Sequence, residues 1–61
     1  MRLINLSGKA VDLNRISSWE KARNYSQWGI RVYFHNGDYI TAWYNSERTR
    51  DIDYNWLFKV V

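Results

Sequence analysis

Gly29-Ile30-Arg31-Val32-Tyr33-Phe34-His35-Asn36-Gly37-Asp38-Tyr39-Ile40-Thr41-Ala42-Trp43-Tyr44 is the stretch that decides the fold of this chain. Its two arms, 29–35 and 38–44, are dense in β-branched and aromatic side chains, which suit a pleated, half-buried surface. Asn36-Gly37 lies between them, a pair that accepts positive φ at both centres of a type I′ turn. The spacing predicts a two-residue hairpin in which His35 opposes Asp38, Phe34 opposes Tyr39, Tyr33 opposes Ile40, Val32 opposes Thr41, Arg31 opposes Ala42 and Ile30 opposes Trp43. Opposed residues share a face. One face then carries Ile30, Val32, Phe34, Tyr39, Thr41 and Trp43 and reads as core. The other carries Arg31, Tyr33, His35, Asp38, Ile40, Ala42 and Tyr44 and reads as the surface available for function.

Upstream, Leu3-Ile4-Asn5-Leu6 reads as a short strand ended by Ser7-Gly8, and Ala10-Val11-Asp12-Leu13 alternates as a second. Residues 16–23 are read as a third strand, in which Trp19 alternates with Ser18 and Glu20, over a helix on which Leu13, Ile16, Trp19 and Ala22 recur every three residues and drift around the axis. Asn24 to Gly29 forms a polar turn. Downstream, Ser46 is a good helix N-cap and Glu47 places an acid where the helix dipole favours it. Glu47 with Arg50, Arg48 with Asp51 and Arg50 with Asp53 are opposite charges at i,i+3. Ile52, Trp56 and Val60 stack at i,i+4. A one-sided sheet also needs a cover, and only this segment can supply it.

The expected architecture is α+β. It is an antiparallel β-meander of about five strands, near 2–6, 9–13, 16–23, 29–35 and 38–44, with one helix near 47–60 packed on one face. Ile30, Val32, Phe34, Trp43, Ile52 and Trp56 are assigned to the core. With 61 residues the chain is a single domain of 7.4 kDa, expected to keep about 4,200 Å² of surface when folded. It has no cysteine and one histidine, so neither a disulfide nor a structural zinc can brace it.

The outline resembles small uncharacterised bacterial and phage proteins with a β-meander closed by a C-terminal helix. The resemblance rests on Val11-x-Leu13-x-x-Ile16, on Val32 to Ile40, and on Tyr44-x-Ser46-Glu47-x-x-Arg50-Asp51-x-Asp53-Tyr54. It covers most of the chain, on packing and turn positions. It implies a fold and a mobile-element or accessory setting, and no activity.

Chemical motifs are few. His35 and Asp38 flank the turn as an imidazole–carboxylate pair, but a hairpin tip offers no pocket to exclude water. Asp51-x-Asp53-x-Asn55 copies the start of a calcium loop, yet Trp56 stands where the loop needs glycine. Asn5-Leu6-Ser7 and Asn24-Tyr25-Ser26 match the glycosylation sequon, and without a signal peptide both are read as chance. No cofactor, metal site or catalytic residue is expected. No apolar run approaches the roughly 20 residues that span a bilayer, and a cytoplasmic setting is expected.

Charge and aromatics carry the functional reading. The net charge of +3 is uneven, with six cations against two acids in residues 1–35 and three against four in residues 36–61. Eleven aromatics, 18% of the chain, exceed what a core this small should need. Trp19, Trp28, Arg31, Tyr33 and Tyr44 are therefore the candidate interaction patch, since exposed Trp, Tyr and Arg dominate protein contacts. The expected role is a non-enzymatic protein-interaction module, with a protein partner or a homo-oligomer. The alternative is weak single-stranded nucleic-acid binding, in which Lys21, Arg23 and Arg31 sit among stacking rings.

Overall fold

The computed structural model describes residues 2–61 and has the expected α+β content. The strands are β1 (Leu3–Leu6), β2 (Lys9–Asp12), β3 (Ile16–Arg23), β4 (Trp28–Phe34) and β5 (Tyr39–Tyr44), followed by α1 (Glu47–Val60). The strands do not form one continuous sheet. β1 and β2 make a two-stranded hairpin, and β3-β4-β5 make a separate three-stranded antiparallel meander. A single 3-10 turn, Leu13–Arg15, stands between them, capped by the Asp12 side chain accepting from the Asn14 N–H. The folded surface is 4195 Å², as expected of an ordinary compact chain of this mass. No helix among the described residues is long and apolar enough to cross a membrane.

The type I′ turn exists, but in the other hairpin. Leu6 opposes Lys9 across a two-residue loop whose Ser7 and Gly8 have φ of 50° and 86°. The loop between β4 and β5 is one residue longer than Asn36-Gly37 implied. The Phe34 N–H donates to the Asp38 carbonyl, the Gly37 N–H donates to the Phe34 carbonyl, and only Gly37, at φ 92°, is left-handed. This is a three-residue loop ending in a glycine bulge, the next commonest hairpin closure. Asn36 stabilises it with its side chain, whose Oδ1 accepts from the Asp38 N–H at 3.0 Å.

That extra residue slides β5 by one position and inverts its faces. Tyr33 opposes Tyr39, Val32 opposes Ile40, Arg31 opposes Thr41, Ile30 opposes Ala42, Gly29 opposes Trp43 and Trp28 opposes Tyr44. The inner face keeps Ile30 and Val32, as expected, but takes Ala42 and Tyr44 from β5 in place of Thr41 and Trp43. Packing explains the choice. Ala42 is small enough to let a helix approach closely, and Tyr44 finds a partner there in Asp53, whereas the Trp43 indole would hold the helix off.

A second irregularity resolves the three-residue spacing in β3. Ile16 opposes Phe34 and Ser18 opposes Tyr33, so the pairing shifts there and leaves Ser17 as an extra residue. The β-bulge lets Ile16 and Trp19, an odd number of positions apart, both turn inward.

The core comprises Leu6, Val11, Leu13, Ile16, Ile30, Val32, Ala42, Tyr44 and Leu57, with Ile4, Trp19, Phe34, Ile40, Tyr54 and Val60 packed around it. The β1-β2 hairpin and α1 therefore share the inner face of the meander. The helix presents a different stripe from the one expected. Arg50 and Leu57 are its buried residues, and Tyr54 and Val60 flank them. Ile52 and Trp56, assigned to the core from their spacing, point away from it with 60% and 38% of their surface exposed. The expected N-cap is present, with the Ser46 hydroxyl accepting from the Thr49 N–H.

Arg50 is what fixes the helix in this rotation. Its guanidinium reaches across to the sheet, donating to the Ala22 and Gly29 carbonyls at 3.4 and 3.3 Å. It also bonds Asp51 at 2.6 Å and faces Glu47 at 3.7 Å. A buried cation requires such partners. Of the i,i+3 pairs expected on the helix, Glu47 with Arg50 is formed. Asp51 instead pairs with its neighbour Arg50 and with Lys21 of β3 at 3.5 Å, and Asp53 accepts from the Tyr44 hydroxyl at 2.8 Å.

Candidate functional site

The inversion of β5 takes Tyr44 out of the candidate patch, and Trp19 of β3 and Trp28 of β4 leave it because they share the face of Ile30 and Val32. Trp19, Trp28 and Tyr44 lie on the inner face, where Tyr44 is 5% exposed and belongs to the core. Trp19 packs edge-on against Phe58 at 4.9 Å between ring centres. Trp28 carries the Arg23 guanidinium 4.8 Å above its ring. Both indole N–H groups are buried without an acceptor among the described residues. Arg31 and Tyr33 alone lie on the outer face.

Three residues that the two-residue register had placed in the core join them there. Tyr39, Thr41 and Trp43 are the cross-strand partners of Tyr33, Arg31 and Gly29. Together with Ser18, Glu20 and Ala22 of β3 they make the outer face of the meander. One signal for them was available in the sequence. Asn-Gly also fits the last two positions of a three-residue bulged loop, and only that loop places the small Ala42 between Ile30 and the helix.

The outer face is locally ordered. Trp43 packs against Gly29 so closely that a Cβ there would sit 2.8 Å from two ring carbons. A glycine opposite a tryptophan lets the ring cover the strand. At the other end Tyr33 and Tyr39 meet at 5.8 Å between ring centres. Between the two ends Arg31 donates to the Thr41 hydroxyl at 3.3 Å and holds its guanidinium 5.2 Å above the Tyr39 ring. The Tyr33 hydroxyl donates to Glu20 at 3.1 Å. Tyr39 is 58% exposed, and Arg31, Tyr33, Thr41 and Trp43 are half-buried.

The other features singled out in the sequence serve structure. Asp38 turns its carboxylate to the Asn36 amide at 3.1 Å, and the His35 backbone N–H donates to the Arg15 carbonyl. An open hollow of about 420 Å³ at the hairpin tip is lined by Arg15, Phe34, Gly37, Asp38, Tyr39 and Ile40, without His35. Asn24 caps its own turn, its Oδ1 accepting from the Ser26 and Gln27 N–H groups, and leaves Tyr25 fully exposed. Two side chains have shifted proton affinities. Burial, reinforced by the bond to Asp53 and by its charge, pushes the Tyr44 hydroxyl well above the ordinary tyrosine range. The Arg50 hydrogen bond holds the Asp51 carboxyl below its ordinary value, helped by the charges of Arg50 and Lys21 against a smaller opposing effect of burial.

No family model, curated protein or solved structure matches the chain.

Proposed function

We propose that this chain is a non-enzymatic protein-interaction module that binds through the outer face of the β3-β4-β5 sheet. One observation carries the reading. The chain commits its helix and its first hairpin to the inner face, and among the described residues leaves Tyr33, Tyr39, Trp43 and Arg31 in fixed positions outside the core. Rings of this kind bring large contact area and few rotamers to lose, which is why Tyr, Trp and Arg dominate binding hot spots. A cytoplasmic accessory role suits a chain without cysteine.

Single-stranded nucleic acid draws less support from the same geometry. Of the cations in the strand half, Arg31 alone belongs to this face, and Glu20 lies beside it. Lys21 is turned to Asp51 and Tyr54 of the helix, and Arg15 and Arg23 sit over Phe34 and Trp28. Phosphate-driven binding needs several cations along one track.

The test is affinity capture from the source cell with the wild-type protein, a Tyr39→Ser/Trp43→Ser variant and an Ile52→Ser control of comparable exposure. The partner should be lost with the first variant and retained with the second. Equal capture by all three would remove the outer face from the reading. Sedimentation across protein concentrations identifies a second copy as the partner if that is what the face binds.

A further inference from the structure

Resting on that reading, we infer that the outer sheet face takes an extended, proline-rich segment of a partner protein in the polyproline II conformation. Size comes first. Three strands about 4.8 Å apart and seven residues long at about 3.3 Å each offer a patch of roughly 14 by 23 Å. Two copies laid face to face would cover on the order of 700 Å², well short of the about 1,200 Å² that stable pairs need. The patch is the size of a short extended peptide.

Its chemistry narrows the class. The face holds one cation, Arg31, against one acid, Glu20, and both are engaged by neighbours, so it presents no net charge for a charged ligand to match. What it leaves free are hydrogen-bond donors and ring faces. Among the described residues the Trp43 Nε1–H and the Tyr39 hydroxyl make no hydrogen bond, while the Tyr33 hydroxyl is already spent on Glu20. The complementary ligand offers acceptors and flat apolar rings and few donors of its own. A run of prolines fits that description. Each residue has a carbonyl and no N–H, and the chain is extended before it binds, so little conformational entropy is lost.

The spacing agrees. The Trp43–Gly29 pair and the Tyr33–Tyr39 pair lie four residues apart along β4, about 13 Å. Polyproline II rises about 3.1 Å per residue, so a five-residue run reaches from the tryptophan to the tyrosines. Trp43 on Gly29 and Tyr39 between Arg31 and Tyr33 are held in place before any ligand arrives.

The experiment is an NMR titration of ¹⁵N-labelled protein with a capped decaproline peptide, beside a capped Gly-Ser peptide of equal length and an eight-nucleotide oligo(dT) at low salt. Decaproline should give saturable shifts at the Trp43 indole N–H and at the amides of Arg31, Tyr33, Tyr39 and Thr41, and the Gly-Ser peptide none. Trp43→Ala should weaken binding at least tenfold. Tyr39→Phe keeps the ring and removes only the hydroxyl, and should weaken it several-fold with an unchanged melting curve, whereas Trp43→Phe removes the donor together with part of the ring surface on Gly29 and should weaken it more. Silence at millimolar decaproline overturns the inference. If capture from cells still depends on Trp43 in that case, the interaction reading stands with a different partner. If it does not, both fall. Shifts of the same resonances with oligo(dT) alone overturn it in favour of base stacking.

Discussion

The two faces of the β3-β4-β5 sheet are drawn from alternate residues of the same strands, yet they follow opposite rules. The inner face is aliphatic at its centre, with Ile30, Val32 and Ala42 fully sealed beneath Leu57. The outer face is aromatic and polar, and its side chains are held by one another through Arg31–Thr41, Arg31–Tyr39 and Trp43–Gly29. Aliphatic burial drives folding in proportion to area and is indifferent to orientation. Rings and guanidinium groups are directional, so they hold a surface in shape without a cover. The division suggests that stability and recognition are separable in this molecule, and substitutions on the two sides should separate them.

The largest effect belongs to the inner side. Leu57→Ala removes a fully buried side chain and should cost about 2–5 kcal/mol, a large share of the total stability of so small a domain. Ile52→Ala, on the same helix but 60% exposed, should stay within about 1 kcal/mol of wild type. Urea or thermal unfolding of both variants checks the pair. Equal losses would mean that the helix docks on the stripe its i,i+4 spacing advertises and not on the one Arg50 selects.

That contrast also marks what could be read from the sequence. The strand segments, the helix limits and its Ser46 cap were legible because each depends on local pattern. The helix rotation was not. Ile52, Trp56 and Val60 look more apolar than Arg50, Tyr54 and Leu57, but Arg50 reaches the Ala22 and Gly29 carbonyls at the end of the sheet, a long-range contact that no periodicity reveals. The faces of β4 were right because they follow from that strand alone. Those of β5 were inverted because they hang on loop length, and one residue decides it. The candidate patch inherited that error at Tyr44, whose place beside Arg31 and Tyr33 is taken by Tyr39 and Trp43, while Trp19 and Trp28 fall on the inner face through the alternation of β3 and β4 themselves.

On the outer side, Gly29→Ala probes the platform directly. The added Cβ would meet Trp43 ring carbons at 2.8 Å and the Ala42 carbonyl oxygen at 3.2 Å, so the ring must lift. Overpacking of this kind costs about 1–3 kcal/mol. The near-ultraviolet circular dichroism of the tryptophans should change with it. A variant that lost stability with an unchanged aromatic spectrum would place the strain elsewhere.

Tyr44→Phe tests the hinge between the faces, the strand that the longer loop turned over. It removes one partly buried hydrogen bond to Asp53 and should cost about 1 kcal/mol at neutral pH. The pH dependence is more telling. With its hydroxyl raised above the ordinary value, folded Tyr44 favours the neutral phenol. Its contribution is complete below about pH 10, the ordinary tyrosine pKa, and is lost as pH rises from there through the raised value. The wild type should therefore lose stability at alkaline pH more steeply than Tyr44→Phe. Parallel alkaline profiles would mean that Tyr44 ionises freely and does not belong to the inner face.

The smallest effect concerns Asp51, at the rim where the helix meets β3. Its carboxyl is lowered, chiefly by the Arg50 hydrogen bond, so the sign is opposite to that of Tyr44. The stabilisation is complete above about pH 4, the ordinary aspartate range, and is lost as pH falls through the depressed value. Asp51 is partly open to solvent, with 38% of its side chain exposed, so salt should screen much of it. Asp51→Asn should melt slightly below wild type at pH 7, and the gap should close near pH 2 or in 1 M salt. A gap that persisted under both conditions would assign the effect to packing, and would leave Arg50 holding the helix through the two sheet carbonyls alone.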